Sequence, residues 1–205
     1  MTSNKTKRIL ASLKPGTRSY VTAFACAALL VGACGGDDPI SISAPVGISL
    51  KAEAGDFENN VITVEKGINT ESGNPWGAFV TDVDAQLGGP PSDIEIASLD
   101  LLLAASSEGF TELRGVFDGT VDVQFEMNDT GNVFPAGSAV IDASTEGRTV
   151  ALQTTFDYRA VQGADLDKLL AGSFKVVMSG PAATGFEAND GKAELQLTFA
   201  FAAFE

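Results

Sequence analysis

The strict alternation of residue types near the end of the chain most constrains its fold. From Ala193 to Ala203 every second residue is apolar, and the residues between them begin as Glu194, Gln196 and Thr198. Successive side chains of a β-strand point to opposite faces, so a period of two predicts a strand with one buried face. We therefore predict that this segment is a core strand, and that antiparallel sheets with one wet face build the domain.

Seven further segments carry β-branched or alternating apolar residues between turn residues and predict strands. They span residues 46–53, 61–65, 93–104, 120–127, 138–143, 148–158 and 174–178. In the third of these the alternation changes phase between Ile96 and Leu99. One extra residue near Ala97-Ser98 would restore the phase, which predicts a β-bulge there.

Three short helices interrupt the strands. Asn74-Pro75 is a typical helix start, and it precedes an apolar stripe at helical spacing. The stripe consists of Trp76, Phe79, Val80, Val83 and Leu87. Trp76 could stack on a sugar, but its place in the stripe favours the core. Residues 110–117 and 165–171 predict one or two helical turns each.

These elements predict a mainly β fold. We expect an antiparallel β-sandwich of about eight strands with two or three short helical inserts covering its ends or edges. A single-layer α+β arrangement is the alternative. The predicted domain spans residues 46–205, which is a length typical of one domain.

The composition excludes several kinds of chemistry. The 205-residue chain contains no histidine, and its two cysteines are Cys26 and Cys34. This excludes imidazole metal ligands and every nucleophile–histidine catalytic site. We assign no cofactor and no metal. Calcium is the metal the composition still permits, through oxygen atoms of Asn128, Asp129 and Asn132 or of Asn189 and Asp190, although no complete calcium loop is present.

The charge is strongly asymmetric. Residues 1–33 hold five of the 13 Lys and Arg residues and none of the 27 Asp and Glu residues. The remaining chain carries eight positive and 27 negative residues, a net charge of −19. Such a surface disfavours nucleic acid, whose affinity comes from Lys and Arg on phosphates. It also disfavours lying flat on anionic lipid.

The N-terminal segment has three consecutive parts. Five positive charges (Lys5, Lys7, Arg8, Lys14 and Arg18) precede thirteen uncharged, largely apolar residues, 21–33. As a helix the apolar run would rise only about 20 Å, which is too short for a hydrocarbon core of roughly 30 Å. The run ends in Val31-Gly32-Ala33, directly before Cys34.

This arrangement resembles the signal peptide and lipobox of bacterial lipoproteins. The resemblance implies that Cys34 receives a diacylglycerol thioether, that a signal peptidase cleaves between Ala33 and Cys34, and that the new amine is acylated. Residues 1–33 would then be a signal peptide and residues 34–45 a lipidated flexible tether. We expect a cell-envelope location, in the outer rather than the inner membrane, facing the periplasm or the cell surface. An ordinary cleaved signal peptide or an uncleaved anchor is the alternative.

Three classes of function remain open. The first is a non-catalytic binding or structural module of the envelope, with an envelope protein or a glycan as partner. The second is a carboxylate-dependent enzyme acting on glycans, for which Asp82 with Asp84, or Glu108 with Glu112, supply paired acids. The third is an outer-membrane β-barrel, which the helical inserts and the polar strand faces disfavour. We expect the first class and assign no catalytic residue.

Overall fold

The computed structural model describes residues 41–68, 75–186 and 192–205. Its strands are β1 (Ser41–Glu53), β2 (Phe57–Glu58), β3 (Val61–Ile68), β4 (Asp93–Leu103), β5 (Gly119–Met127), β6 (Val133–Ile141), β7 (Thr149–Thr154), β8 (Phe174–Pro181) and β9 (Lys192–Phe204). Its α-helices are α1 (Pro75–Leu87) and α2 (Ala164–Leu170). Short 3₁₀ helices span Ala54–Asp56, Leu113–Gly115 and Tyr158–Ala160.

The nine strands form one continuous antiparallel sheet in the order β1-β9-β4-β7-β6-β5-β8-β3-β2. The sheet curls so that β1 approaches β3 although the two are not neighbours in that order. The buried side chains of the sheet and of α1 form one hydrophobic core. The predicted antiparallel β-sandwich with short helical inserts is confirmed, in the form of a single sheet folded over onto itself.

Each of the eight predicted strands corresponds to a strand of this sheet, and the two-residue β2 is the addition. Alternate residues of β9 are buried from Ala193 to Ala203, whereas Gln196 on the opposite face is exposed. The register between β4 and β9 shifts between Ile96 and Ser98, where the bulge was predicted. The period-two pattern therefore identified the buried faces correctly.

The predicted boundary of the tether is wrong by five residues. Residues 41–45, expected to be part of the flexible tether, pair with β9 from Ser41↔Phe204 to Pro45↔Ala200. Proline lacks the N–H that a central strand would need, which is why the segment read as a linker. It is compatible with β1 because β1 lies at the edge of the sheet.

Two strand boundaries also differ from prediction. β7 ends at Thr154 rather than continuing to Tyr158, because the chain turns into a 3₁₀ helix at Tyr158, where the Asp157 side chain accepts from the Arg159 N–H. β6 begins at Val133, five residues before the predicted start, because residues 133–137 pair with β5 across a register shift between Val123 and Gln124. The predicted loop 69–74, Asn74 included, and the predicted turn 189–191 lie outside the described residues.

Helix α1 presents its predicted stripe to the core. Trp76, Phe79 and Val83 are buried, and Val80 and Leu87 are partly buried against the same cluster. The Trp76 Nε1–H donates to the Leu169 carbonyl oxygen of α2 (3.0 Å). No helix within the described ranges is long and apolar enough to cross a membrane.

The two ends of the sandwich differ in the segments that connect their strands. At one end, which we call the helical end, the start of β1 lies beside the end of β9 and the start of β4, and both α-helices connect strands there. At the opposite end, which we call the loop end, lie the connections 54–60, 104–118, 142–148 and 182–186. The strand pairings place these two sets about one strand length apart.

Candidate functional site

An open groove of about 470 Å³ lies at the loop end. Its walls come from three connections that are far apart in sequence: the β4–β5 loop, the β6–β7 loop and the segment after β8. Its charged residues are Glu112, Arg114, Asp118 and Asp142, and Phe110, Ala143 and Ala183 supply apolar surface. The groove is the candidate functional site among the described residues.

Arg114 joins two walls of the groove. Its Nε donates to Glu112 Oε2 (2.6 Å), and its Nη1 donates to the Ala143 carbonyl oxygen (2.9 Å). The guanidinium is thus used to hold the β4–β5 loop against the β6–β7 loop. Arg148 strengthens the same region because its guanidinium donates to the carbonyl oxygens of Leu103 (2.8 Å) and Ala104.

Asp142 organises its own turn. Its Oδ1 accepts from the Ser144 hydroxyl (2.6 Å) and the Ser144 N–H (2.8 Å). These hydrogen bonds, with weaker ones from Thr145, hold the pKa of the Asp142 carboxyl below its ordinary value. A carboxylate held in the ionised form by its own turn is poorly suited to donate a proton, so Asp142 is a structural acceptor in this groove.

A second groove at the same end lies beside β1 and β9 and carries Glu108, Lys192 and Glu194. The Glu194 carboxylate accepts from the Ser106 hydroxyl and pairs with Lys51 Nζ at 3.5 Å. The Ser106 hydrogen bond, followed by the Lys51 charge, lowers the Glu194 pKa. The Glu194 carboxylate of this groove is thus held in the ionised form and is already paired.

The structure separates the acid pairs considered for glycan chemistry. Glu112 lines the first groove, whereas Glu108 lines the second and its backbone pairs with Lys192. Asp82 and Asp84 are both exposed on α1. Residues two apart on a helix point in different directions, so these two carboxylates do not face each other.

In the β5–β6 turn, the calcium candidates Asp129 and Asn132 contact side chains of α2. Asp165 of α2 is buried, and its carboxylate accepts from Thr130 Oγ1 (2.6 Å) and Asn132 Nδ2 (2.8 Å). Asp129 Oδ2 lies 2.6 Å from Lys168 Nζ. Lys168 therefore neutralises one oxygen of Asp129, Asn132 uses its amide nitrogen on Asp165, and nowhere in the described ranges do three or more acidic residues form a metal-binding group. Asn189 and Asp190 lie outside those ranges.

The Asp165 contacts predict an acid-sensitive link between the β5–β6 turn and α2. The hydrogen bonds from Thr130 and Asn132 lower the Asp165 pKa, and Lys168 adds to the effect. A lowered folded-state pKa contributes stability above the unfolded value of about 3.9, and this contribution is lost as the pH falls through the folded-state pKa. We expect Asp165→Asn to lower the free energy of unfolding near pH 7, with the difference from wild type shrinking below about pH 4.

Urea titrations of both proteins across this pH range measure that difference. Asp82→Asn, which removes one exposed charge of α1, controls for the change in net charge. A difference between wild type and Asp165→Asn that stays constant with pH would show that the ionised Asp165 does not stabilise the turn.

Sequence patterns could not identify the groove. Arg114, Asp118 and Asp142 come from segments that carry no motif, and only the pairing of β5 with β6 brings them together. The two predicted processing residues, Ala33 and Cys34, lie outside the described residues.

Comparison with known proteins identifies no relative by sequence. No protein-family model and no curated protein sequence matches the chain. A solved structure from Desmodium yellow mottle tymovirus is similar over 100% of this chain and 96% of its own, at 10% identity and a TM-score of 0.31. One from turnip yellow mosaic virus covers 87% of each chain at 13% identity and a TM-score of 0.25. Likenesses this weak indicate neither a shared function nor a shared family.

Proposed function

We propose that the protein is a lipid-anchored component of a bacterial cell envelope whose β-sandwich is a non-catalytic binding or structural module. The observation that carries the proposal is the N-terminal sequence: five positive charges, a short apolar run and Val31-Gly32-Ala33 directly before Cys34. Two or more acyl chains at Cys34 would anchor the protein stably, whereas a single chain binds only marginally.

The loop-end grooves support a module that binds or scaffolds rather than one that catalyses. Arg114, Asp142 and Glu194 are each committed to hydrogen bonds or ion pairs within the protein. The chain has no histidine to act as a base near neutral pH. The net charge of the chain after residue 33 makes an envelope protein or a glycan a better partner than nucleic acid.

Metabolic labelling tests the anchor. Bacteria expressing the full chain and fed a palmitate analogue should tag the wild type and should fail to tag Cys34→Ser. Cys26→Ser is the matched control, because Cys26 lies within the apolar run and should leave labelling unchanged. Equal labelling of wild type and Cys34→Ser would overturn the proposal.

A carboxylate-dependent glycan hydrolase is the second candidate. The observation that favours it is the presence of Glu112, Asp118 and Asp142 around one groove. The test is whether purified protein releases sugars from cell-wall glycan and whether Asp118→Asn abolishes that release. If both occur, the protein is a hydrolase and not a non-catalytic module.

A further inference from the structure

We infer that the anchored domain stands with its helical end toward the bilayer and its grooved loop end away from it. The inference rests on the proposed lipidation of Cys34. The inference identifies the helical end as the surface that faces the membrane, which the lipobox alone does not specify.

The distance from the lipid to the domain is short because β1 starts early. Residues 41–45 belong to β1, so only seven residue steps separate Cys34 from Ser41. A fully extended chain covers at most about 3.6 Å per residue, which limits this separation to roughly 25 Å.

The point of attachment lies at one extreme of the sandwich. Ser41 pairs with Phe204, which in turn pairs with Asp93, and the adjoining Ser92 N–H donates to the Phe204 carbonyl oxygen (2.9 Å). This part of the helical end is therefore the part of the described domain that is closest to Cys34 along the chain.

The grooves lie at the other extreme. Ser106 at the loop end contacts Glu194, ten residues before Phe204 on the same strand. At about 3.3 Å per residue, these two ends of β9 are roughly 33 Å apart. Both grooves described above, with Arg114 and Lys192 among their residues, lie on this far side.

The surface charge opposes the domain lying flat. The chain after residue 33 is strongly acidic, and the negative surface potential of anionic lipid would repel it. A short tether at one end combined with repulsion along the sides favours an upright mean orientation, with the grooves open to the aqueous compartment.

Energy transfer from a protein fluorophore to a headgroup acceptor measures this orientation. With residues 1–33 removed and Cys34 acylated, an introduced cysteine is the sole free thiol. Ser92→Cys and Ser106→Cys are matched probes, because both replace an exposed serine next to opposite ends of β9. The full chain is expressed in bacteria, and the lipidated product is labelled and reconstituted into phosphatidylcholine–phosphatidylglycerol vesicles.

We expect several-fold more efficient transfer from position 92 than from position 106. Inserting twenty Gly and Ser residues after Gly36 lengthens the tether. We expect this insertion to reduce the transfer efficiency from position 92 and to bring it closer to the efficiency from position 106. If the protein floats with the vesicles but the transfer efficiency is equal from both positions, the proposed orientation is wrong while the anchor stands. A protein that neither floats nor carries lipid at Cys34 would overturn the anchor together with the orientation.

Discussion

Phe199→Ala is expected to lower the free energy of unfolding by about 3–5 kcal/mol, as truncation of a buried aromatic side chain commonly does. Phe199 is fully buried in the middle of β9. Its ring stacks on Phe201 with centroids 5.3 Å apart and also lies 5.8 Å from the Phe125 ring of β5. The substitution would leave a cavity between two faces of the folded sheet, where the backbone cannot collapse to fill it.

Urea denaturation of residues 35–205 provides the measurement, since this region contains the whole described fold. Gln196→Ala is the control, because Gln196 is three residues away on the exposed face of the same strand. We expect its midpoint to stay close to that of wild type. Similar losses for the two variants would show that β9 does not join the two halves of the core.

We expect Trp76→Ala to lower the free energy of unfolding by a similar amount, about 3–5 kcal/mol. The Trp76 indole contacts the rings of Phe79 (5.4 Å), Phe174 (5.4 Å) and Phe201 (4.9 Å). It therefore joins α1 to β8 and β9 at the helical end. The substitution removes these ring contacts and also the hydrogen bond from Nε1 to Leu169 (3.0 Å).

Thermal unfolding followed by circular dichroism checks this second expectation. Gln86→Ala, on the exposed side of α1, is the matched control and should leave the midpoint within about a degree of wild type because alanine is a good helix former. A small effect of Trp76→Ala would mean that α1 is dispensable. Trp76 is only 1% exposed, which already argues against the sugar-stacking role considered for it.

Local patterns predicted the elements well because each pattern has a local physical cause. The alternation in β9 reflects the pleat, the phase change at Ala97-Ser98 reflects one extra residue, and the stripe from Trp76 to Leu87 reflects the helical turn. Each of these features was confirmed. Such patterns indicate which face of an element is buried, but they do not indicate which other element packs against that face.

The errors have a different origin. Pro45 and the neighbouring serines suggested a linker, and only the partner strand β9 makes residues 41–45 a strand. The early start of β6 is another such case, because residues 133–137 form a strand by pairing with β5. Contacts between separate strands decide both features, so the residues of neither segment reveal them.

The candidate site was the least predictable part. Glu108 and Glu112, which were chosen by proximity in sequence, line different grooves, whereas Asp118 and Asp142 line the same groove from the two strands at the open end of the β5–β6 hairpin. The pairing of β5 with β6 determines that Asp118 and Asp142 meet. Neither residue lies in a sequence motif that marks it as part of a site.

The intact mass of the protein extracted with detergent from bacterial membranes tests the central claim most directly. We predict a polypeptide of residues 34–205 carrying a diacylglycerol and an N-terminal acyl chain, with the ester-linked chains released by mild base. A polypeptide that carries no lipid, or one that retains Ala33 and the residues before it, would contradict the proposed anchor.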